Sequence, residues 1–112
     1  MIKKSFGGVL TTSYTTIYEV PTGKKAEWVL LYVVNDSGST SGFSVRLYKA
    51  EADSNIQIFD DKSLSDGEFF KIGGGTNEFI MLEEGDRVEA LNGGDITLLM
   101  SVIEYNDIIK GG

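Results

Sequence analysis

The sequence predicts an all-β protein: an antiparallel β-sandwich or jelly-roll-like domain of about eight short strands, with little or no helix. Fourteen glycines and a single proline fall between short runs rich in Val, Ile, Tyr, Phe and Thr, the residues that strands favour. Turn signals recur about every 8–12 residues, a spacing typical of sandwiches. No window carries a convincing helical period of about 3.6 residues.

The candidate strands are short β-favouring runs, each bounded by turn residues. In chain order they span residues 4–10, 14–20, 26–35, 43–50, 56–59, 68–72, 79–82, 87–91 and 96–105. Residues 43–50 give the clearest signal, because apolar and polar side chains alternate there with the period of a half-buried strand. Asp60, Asp61, Asp66 and Gly67 predict an acidic turn between the fifth and sixth runs.

Tight reversals separate several of these strands. Residues 20–27 and 82–89 share one order of residue types: apolar, two turn residues, Gly, polar, basic, apolar, Glu. A type I turn followed by a glycine with positive φ fits both segments. Residues 92–95, with two central glycines, predict a third reversal, and residues 73–75 predict a flexible connection.

Two runs, residues 28–34 and 96–103, are apolar on both faces. A sandwich strand normally buries one face and exposes the other, so the second face needs cover from the protein's own loops or from a partner. Strict alternation puts Trp28, Leu30 and Tyr32 on one side, and either side can be the core. The assembly interpretation makes Trp28, Leu30, Tyr32 and Val34 candidate interface residues.

The chain is expected to form one domain over residues 1–112, with flexible arms at residues 1–5 and 106–112. Lys3 and Lys4 make the first arm basic on an otherwise acidic protein, so they are candidates to meet an acidic neighbouring surface. Ile108 and Ile109 in the second arm are candidates to fill an apolar groove.

Composition argues against several classes of function. The chain has no Cys and no His, which removes thiolate zinc sites, cysteine nucleophiles and the commonest general base. A formal charge of −7 disfavours a general nucleic-acid binder. No apolar run reaches the roughly 18 residues of a membrane span. The acidic turn could hold calcium, but its spacing matches no EF-hand loop, so we predict no catalytic residue, no cofactor and no metal ligand.

The aromatic residues leave two interpretations open. Six Phe, five Tyr and one Trp could fill the core, as large aromatic side chains usually do. Alternatively, some could line a platform on which sugars stack, as in a carbohydrate-binding module. Two or three aromatic residues exposed together on one sheet would favour sugar binding.

An ordered set of short motifs covers residues 14–105. It begins with T-x-Y-x-V-P-x-G-K-x-A, continues with a long apolar strand that ends in Asn-x-Ser and with a small alternating strand, and closes with F-I-M-L-E-x-G-D and S-x-I-E-Y. The residues that carry these motifs are Thr16, Tyr18, Val20, Pro21, Gly23, Lys24, Ala26, Asn35, Ser37, residues 44–48, residues 79–83, Gly85, Asp86, Ser101, Ile103, Glu104 and Tyr105. The set resembles the small β-sandwich virion proteins of tailed bacteriophages, particularly those of cyanobacterial and marine hosts.

The resemblance implies a non-enzymatic structural role in the virion, which is assembled in the host cytoplasm. Capsid decoration (cement) is the first expectation and a tail or fibre adaptor the second; a carbohydrate-binding module for host attachment is the alternative class. Implied partners are further copies of the chain, with a trimer favoured, and the major capsid protein or other virion proteins. The resemblance implies no nucleic-acid or membrane partner and no active site.

Overall fold

The computed structural model describes residues 2–75, 77–92 and 96–106, and it confirms an all-β antiparallel sandwich. The strands are β1 (Ile2–Val9), β2 (Thr15–Glu19), β3 (Lys24–Asn35), β4 (Ser41–Lys49), β5 (Ser54–Leu64), β6 (Phe69–Gly73), β7 (Ile80–Leu82), β8 (Arg87–Asn92) and β9 (Ile96–Asn106). Sheet A has the order β1-β9-β3-β6, with β7 also paired to β3, and sheet B has the order β2-β8-β4-β5. All pairings are antiparallel, and no helix occurs in the described ranges.

The core lies between the two sheets and is built from the inward-facing residues of each strand. β9 shows the pattern most clearly: Ile96, Leu98, Met100 and Val102 are buried, while the residues between them are exposed or half-buried. Phe43 of β4 meets them from sheet B and is completely buried. Every second residue of a strand faces the same way, so burial alternates along β9 even though its sequence is apolar on both faces.

Two glycine reversals predicted from the sequence bind each other directly. Gly23 and Gly85 have φ of 78° and 82°, the left-handed conformation that glycine adopts without strain. The Val20 amide donates to the Asp86 carbonyl at 3.0 Å, and the Gly85 amide donates back to the Val20 carbonyl at 3.0 Å. The two similar segments therefore form one paired unit that joins the end of β2 to the start of β8.

The side chain of Asp86 holds this unit together from inside. It is only 1% exposed, and it accepts hydrogen bonds from the backbone amides of Ala50 and Glu83 at 3.0 and 2.9 Å. Lys49 Nζ lies 2.5 Å from its Oδ2. Burial by itself raises the pKa of Asp86, but the Lys49 ammonium and the two amides outweigh burial and hold that pKa below its ordinary value.

A β-bulge in β3 corrects the predicted alternation of the long apolar strand. The register between β3 and β9 shifts between Trp28 and Leu30, so Val29 is an extra residue on β3. As a result Trp28 and Leu31 both face the core, at 4% and 1% exposure. The expectation that Trp28 shares the outer face with Leu30 is wrong, because one additional residue reverses the phase of every side chain after it.

Residues 2–5 do not form a separate arm, contrary to the sequence expectation. They belong to β1, where they pair with residues 101–104 of β9 in regular antiparallel register. Most side chains of β1 are exposed, so the strand shows little amphipathic pattern. Backbone pairing to β9 is what holds it.

The fifth strand is longer than the sequence predicts. β5 continues through Asp60 and Asp61, which were expected in a turn. Register shifts against β4 and a positive φ of 51° at Asp61 accommodate the two acids within the strand. The Asp61 amide donates to the Ser44 hydroxyl at 2.9 Å, which replaces a ladder bond at the irregularity.

The two remaining expectations concern the chain after β8 and membrane spans. Of the reversal expected at residues 92–95, positions 93–95 lie outside the described residues, as does most of the second arm. Across the described ranges, no helix is both long enough and apolar enough to cross a membrane.

The bulge predicts unequal effects for two aromatic residues four positions apart on β3. Trp28→Ala should lower the free energy of unfolding by about 3–5 kcal/mol, because it leaves a large cavity in the core. Tyr32→Ala should lower it by about 1 kcal/mol, because Tyr32 lies half-buried on the outer face. Urea denaturation of both variants measures the difference. Equal losses would contradict the assignment of Trp28 to the core.

Candidate functional site

The outer face of sheet A carries an apolar surface, here called the apolar face. It consists of Leu30, Tyr32 and Val34 of β3, Leu99 of β9 and Phe69 of β6. Tyr32 lies opposite Leu99, and Val34 lies opposite Phe69 on the neighbouring strand. Residues opposite each other in an antiparallel sheet share one face, so these five side chains form one patch, which the exposed Lys71, opposite Tyr32, borders on β6.

The apolar face remains accessible in the folded chain. Phe69 is 63% exposed and Leu99 is 41% exposed, while the three β3 residues are half-buried by their neighbours. The rings of Tyr32 and Phe69 stack with centroids 5.7 Å apart and an angle of 22° between their planes. A contiguous exposed apolar patch on a small protein is typical of an interaction surface. Of the four β3 residues predicted as interface, Leu30, Tyr32 and Val34 lie on this face and Trp28 does not.

The two lysines of β1 point to opposite faces, so they do not form one basic patch. Lys3 lies opposite Ile103 on the outer face of sheet A. There it lines a cleft of about 570 Å³ together with Ser5, Glu27 and Phe79, among other residues. Lys4 faces inward, where it meets Glu104. Ile108 and Ile109, the other predicted arm residues, lie outside the described part of the chain.

Glu104 joins the two sheets inside the sandwich. It is 2% exposed and accepts a hydrogen bond of 2.5 Å from the hydroxyl of Tyr18, which belongs to β2 in sheet B. Lys4 Nζ lies 2.9 Å from its other carboxylate oxygen, an ion pair whose angles do not make it a hydrogen bond. The three side chains therefore connect β1, β2 and β9.

The charge state of this triad follows from the same contacts. Burial acts to raise the pKa of Glu104, but the Tyr18 hydrogen bond and the Lys4 charge outweigh it, and the pKa lies below its ordinary value of 4.5. Burial and the Glu104 carboxylate raise the pKa of Tyr18 above its ordinary value. At neutral pH Glu104 is thus ionised and Tyr18 is a neutral donor. The triad therefore holds the strands in position, and neither Glu104 nor Tyr18 is poised to transfer a proton at that pH.

The outer face of sheet B carries a polar network, here called the arginine ladder. The Arg46 guanidinium lies 3.7 Å from the ring centroid of Tyr14, and the Arg87 guanidinium lies 4.0 Å from that of Tyr48. Glu89 accepts hydrogen bonds from both arginines, at 2.7 and 3.1 Å. Burial acts to raise the pKa of Glu89, but the two arginines outweigh it and lower that pKa. The ladder is satisfied within the chain and differs in chemistry from the apolar face.

Two acidic residues at the predicted calcium turn, Asp66 and Glu68, accept backbone amides of the loops instead. Asp66 Oδ1 accepts from the Gly38 amide at 2.9 Å, and Glu68 Oε1 accepts from the Ser65 amide at 2.6 Å. Carboxylates that accept backbone amides in this way fix turn geometry. In the described part of the chain, no group of three or more acidic residues is arranged to hold a metal ion.

Sequence reasoning did not identify the Tyr18–Glu104–Lys4 triad, although one signal for it was present. Glu104 continues the inward phase of β9, two residues after the buried Val102. A single acid in an inward series predicts a buried carboxylate that needs a partner. The partner could not be named, because Tyr18 is 86 positions away in sequence. Comparison with known proteins adds no assignment: no protein-family model matches the chain, and neither does any curated protein.

The triad predicts a pH-dependent contribution to stability. Because the folded-state pKa of Glu104 lies below 4.5, its contribution is complete above that pH and is lost as the pH falls through the folded-state value. Glu104→Gln should therefore lower the free energy of unfolding at pH 7 by about 1–3 kcal/mol and make its fall on acidification shallower. Urea denaturation between pH 7 and pH 3 measures both effects.

Glu19→Gln is the matched control, since Glu19 is an exposed acid on β2. It should leave both the stability and its pH dependence close to those of the unmodified chain. If Glu104→Gln and Glu19→Gln behave alike, Glu104 does not lock the two sheets.

Proposed function

We propose that this protein is a non-enzymatic structural component of a tailed-phage virion, and most specifically a capsid decoration protein. The observation that carries the proposal is the apolar face, an exposed patch on one sheet of an otherwise acidic domain. It binds the assembled head through protein–protein contacts with the major capsid protein. The resemblance of residues 14–105 to small virion sandwiches supplies the identity of that partner.

The connections between strands support this assignment. β1, β2, β3 and β4 alternate between the two sheets, as do β5 and β6, and β8 and β9. The proposal takes this order, eight strands in two four-stranded layers with β7 added at the edge, as that of a jelly roll. Jelly rolls are recurrent in viral capsids and also in lectins. The topology is therefore compatible with a virion protein and with a glycan binder.

The buried acids support a structural role. Glu104, Asp86 and Glu89 each lie against a lysine or arginine of the same chain. Their pKa values are lowered, so they are ionised and paired at neutral pH. A general acid needs the opposite shift: its pKa must be raised, so that the group still holds its proton near neutral pH. In this arrangement the three acids stabilise the sandwich.

The physical requirements of a cement protein fit this surface. Binding to the assembled head and not to its separate subunits stabilises the head by mass action. A formal charge of −7 keeps the free protein soluble while it carries an exposed apolar face. The same charge repels packaged nucleic acid, so contacts with head proteins carry the binding. The protein acts in the virion, which is assembled in the host cytoplasm.

Two alternatives use the same fold. A tail or fibre adaptor would bind another virion protein through the apolar face, so only the partner differs. A carbohydrate-binding module would need exposed aromatic rings for sugars to stack on. Tyr14 and Tyr48 carry arginines on their rings, whereas Tyr32 and Phe69 form a stacked pair on a sheet face and Phe79 is exposed beside the cleft. That pair is the observation that keeps glycan binding as the second class.

The proposal predicts that a charge in the apolar face prevents binding to heads. Leu99→Asp and Leu30→Asp should leave the sandwich folded and reduce co-sedimentation with empty heads at least tenfold, because burying an unpaired carboxylate costs more than about 1.4 kcal/mol. The heads come from the tailed phage that encodes the chain, with this gene deleted. Circular dichroism checks the fold of each variant.

Ile56→Asp is the matched control, because Ile56 is 49% exposed on β5, away from the apolar face. It should bind heads like the unmodified protein. Failure of the unmodified protein to bind heads would overturn the decoration proposal. Binding to isolated tails, or to a glycan array with loss on Phe69→Ala, would then identify the adaptor or the glycan binder.

A further inference from the structure

The free edges of the two sheets differ in how they are protected against pairing with another strand. β2 is five residues long and irregular against β8. β5 shifts register against β4 and carries Asp60 and Asp61. In sheet A, the edge beside β3 is divided between β6 and β7, which have five and three residues. Short length, bulges and charges are the features that prevent edge-to-edge association.

β1 lacks two of these protections, because it is eight residues long and pairs with β9 without a bulge, although it carries Lys3 and Lys4. All eight of its residues pair with β9 without a register shift, from Ile2 opposite Glu104 to Val9 opposite Thr97. The strand contains no proline, and two of its residues, Ile2 and Val9, are exposed apolar side chains at 50% and 62%. Its other edge presents backbone amides and carbonyls to solvent. Such an edge is a template for another strand.

We propose that β1 pairs antiparallel with the β1 strand of a second copy, about a two-fold axis that passes through Ser5. In this register Lys3 lies opposite Gly7 of the other copy, and Ile2 lies opposite its Gly8. A two-fold axis perpendicular to the sheet requires that paired residues point to the same face of the sheet. Positions 3 and 7 differ by four residues and positions 2 and 8 by six, both even numbers, so both pairs meet this requirement. Ser5 then lies directly opposite Ser5.

The side chains in this register are complementary. A Cβ built on Gly8 meets no heavy atom within 4 Å, so there is room for the exposed Ile2 of the second copy. A Cβ on Gly7 would collide with the Leu98 carbonyl, so this position stays without a side chain.

Charge does not prevent a second copy from occupying this edge. In a chain of formal charge −7, β1 carries two lysines and no acid, so two copies meet here with little acidic repulsion. Lys4 is already paired with Glu104. The two Lys3 residues come to lie about 14 Å apart along the strands. That distance exceeds the screening length of about 8–10 Å at moderate salt.

This inference does not rest on the proposed function, and the two can fail separately. Pairing through one strand per copy gives an interface below about 1,200 Å², so the dimer should form in a concentration-dependent way. The two-fold arrangement also differs from the trimer that the resemblance implies. Neither the apolar face nor a phage head is needed to detect it.

Cysteine cross-linking tests the pairing, because the natural chain contains no cysteine. In Ser5→Cys the two thiols would lie directly opposite each other, with Cα atoms about 4.5–5.5 Å apart, within the range of a disulfide. Mild oxidation at high protein concentration should give a product of twice the 12.2 kDa chain mass that a reductant reverses. Ser5 is exposed, and its hydroxyl shares an exposed hydrogen bond with the Ser101 hydroxyl. The Ser5→Cys variant should therefore keep the fold.

Two single-cysteine variants serve as controls. Lys3→Cys places its thiols about 14 Å apart in the proposed register, and Ser54→Cys lies on the edge strand β5 of the other sheet. Both should stay monomeric under the same oxidation. Equal cross-linking in all three variants, or a trimeric mass by light scattering of the unmodified chain, would overturn the inference.

Discussion

The bulge at Val29 is the constraint on which the rest of the sheet depends. β3 pairs with β9, β6 and β7, so its phase decides which face of sheet A is the core. The extra residue lets Trp28 and Leu31 both point inward. It also explains the glycines at the end of β6: the Gly74 amide donates to the Val29 carbonyl at 2.7 Å, and a Cβ on Gly73 would collide with that carbonyl. Gly73, expected to belong to a flexible connection, is required by its close approach to the bulge.

Two buried acids fix the relation of the sheets around this apolar core. Asp86 ties the paired reversals to the end of β4, and Glu104 ties β9 to β2 through Tyr18. Each carboxylate is nearly inaccessible, so its desolvation must be offset by hydrogen bonds and by a lysine. Such interactions add specificity, because a slip of one residue in β9 would leave Glu104 facing solvent and Tyr18 without its acceptor.

The pattern of β-favouring runs and turn signals located the nine strands of the described residues and both glycine reversals, because these features depend on residues that are close in the chain. It could not locate the bulge, since residues 28–34 are apolar in both phases and either alternation satisfies the pattern. The extent of β5 was missed for a related reason: Asp60 and Asp61 are typical turn residues, and only their contact with β4 places them in a strand. The apolar face was predicted in part, as Leu30, Tyr32 and Val34. Phe69 and Leu99 joined it only once the strand order was known.

The outer faces of the two sheets and the free edge of β1 together determine which assemblies the geometry favours. The arginine ladder on sheet B is already satisfied, so burying it gains little, whereas the apolar face of sheet A gains free energy when water is removed. Pairing two β1 strands about an axis perpendicular to the sheet joins two five-stranded sheets and keeps both apolar faces on the same side. A dimer of this kind presents two binding patches to one large partner. The second contact is then intramolecular, so patches that are weak singly can hold the pair firmly on an extended surface.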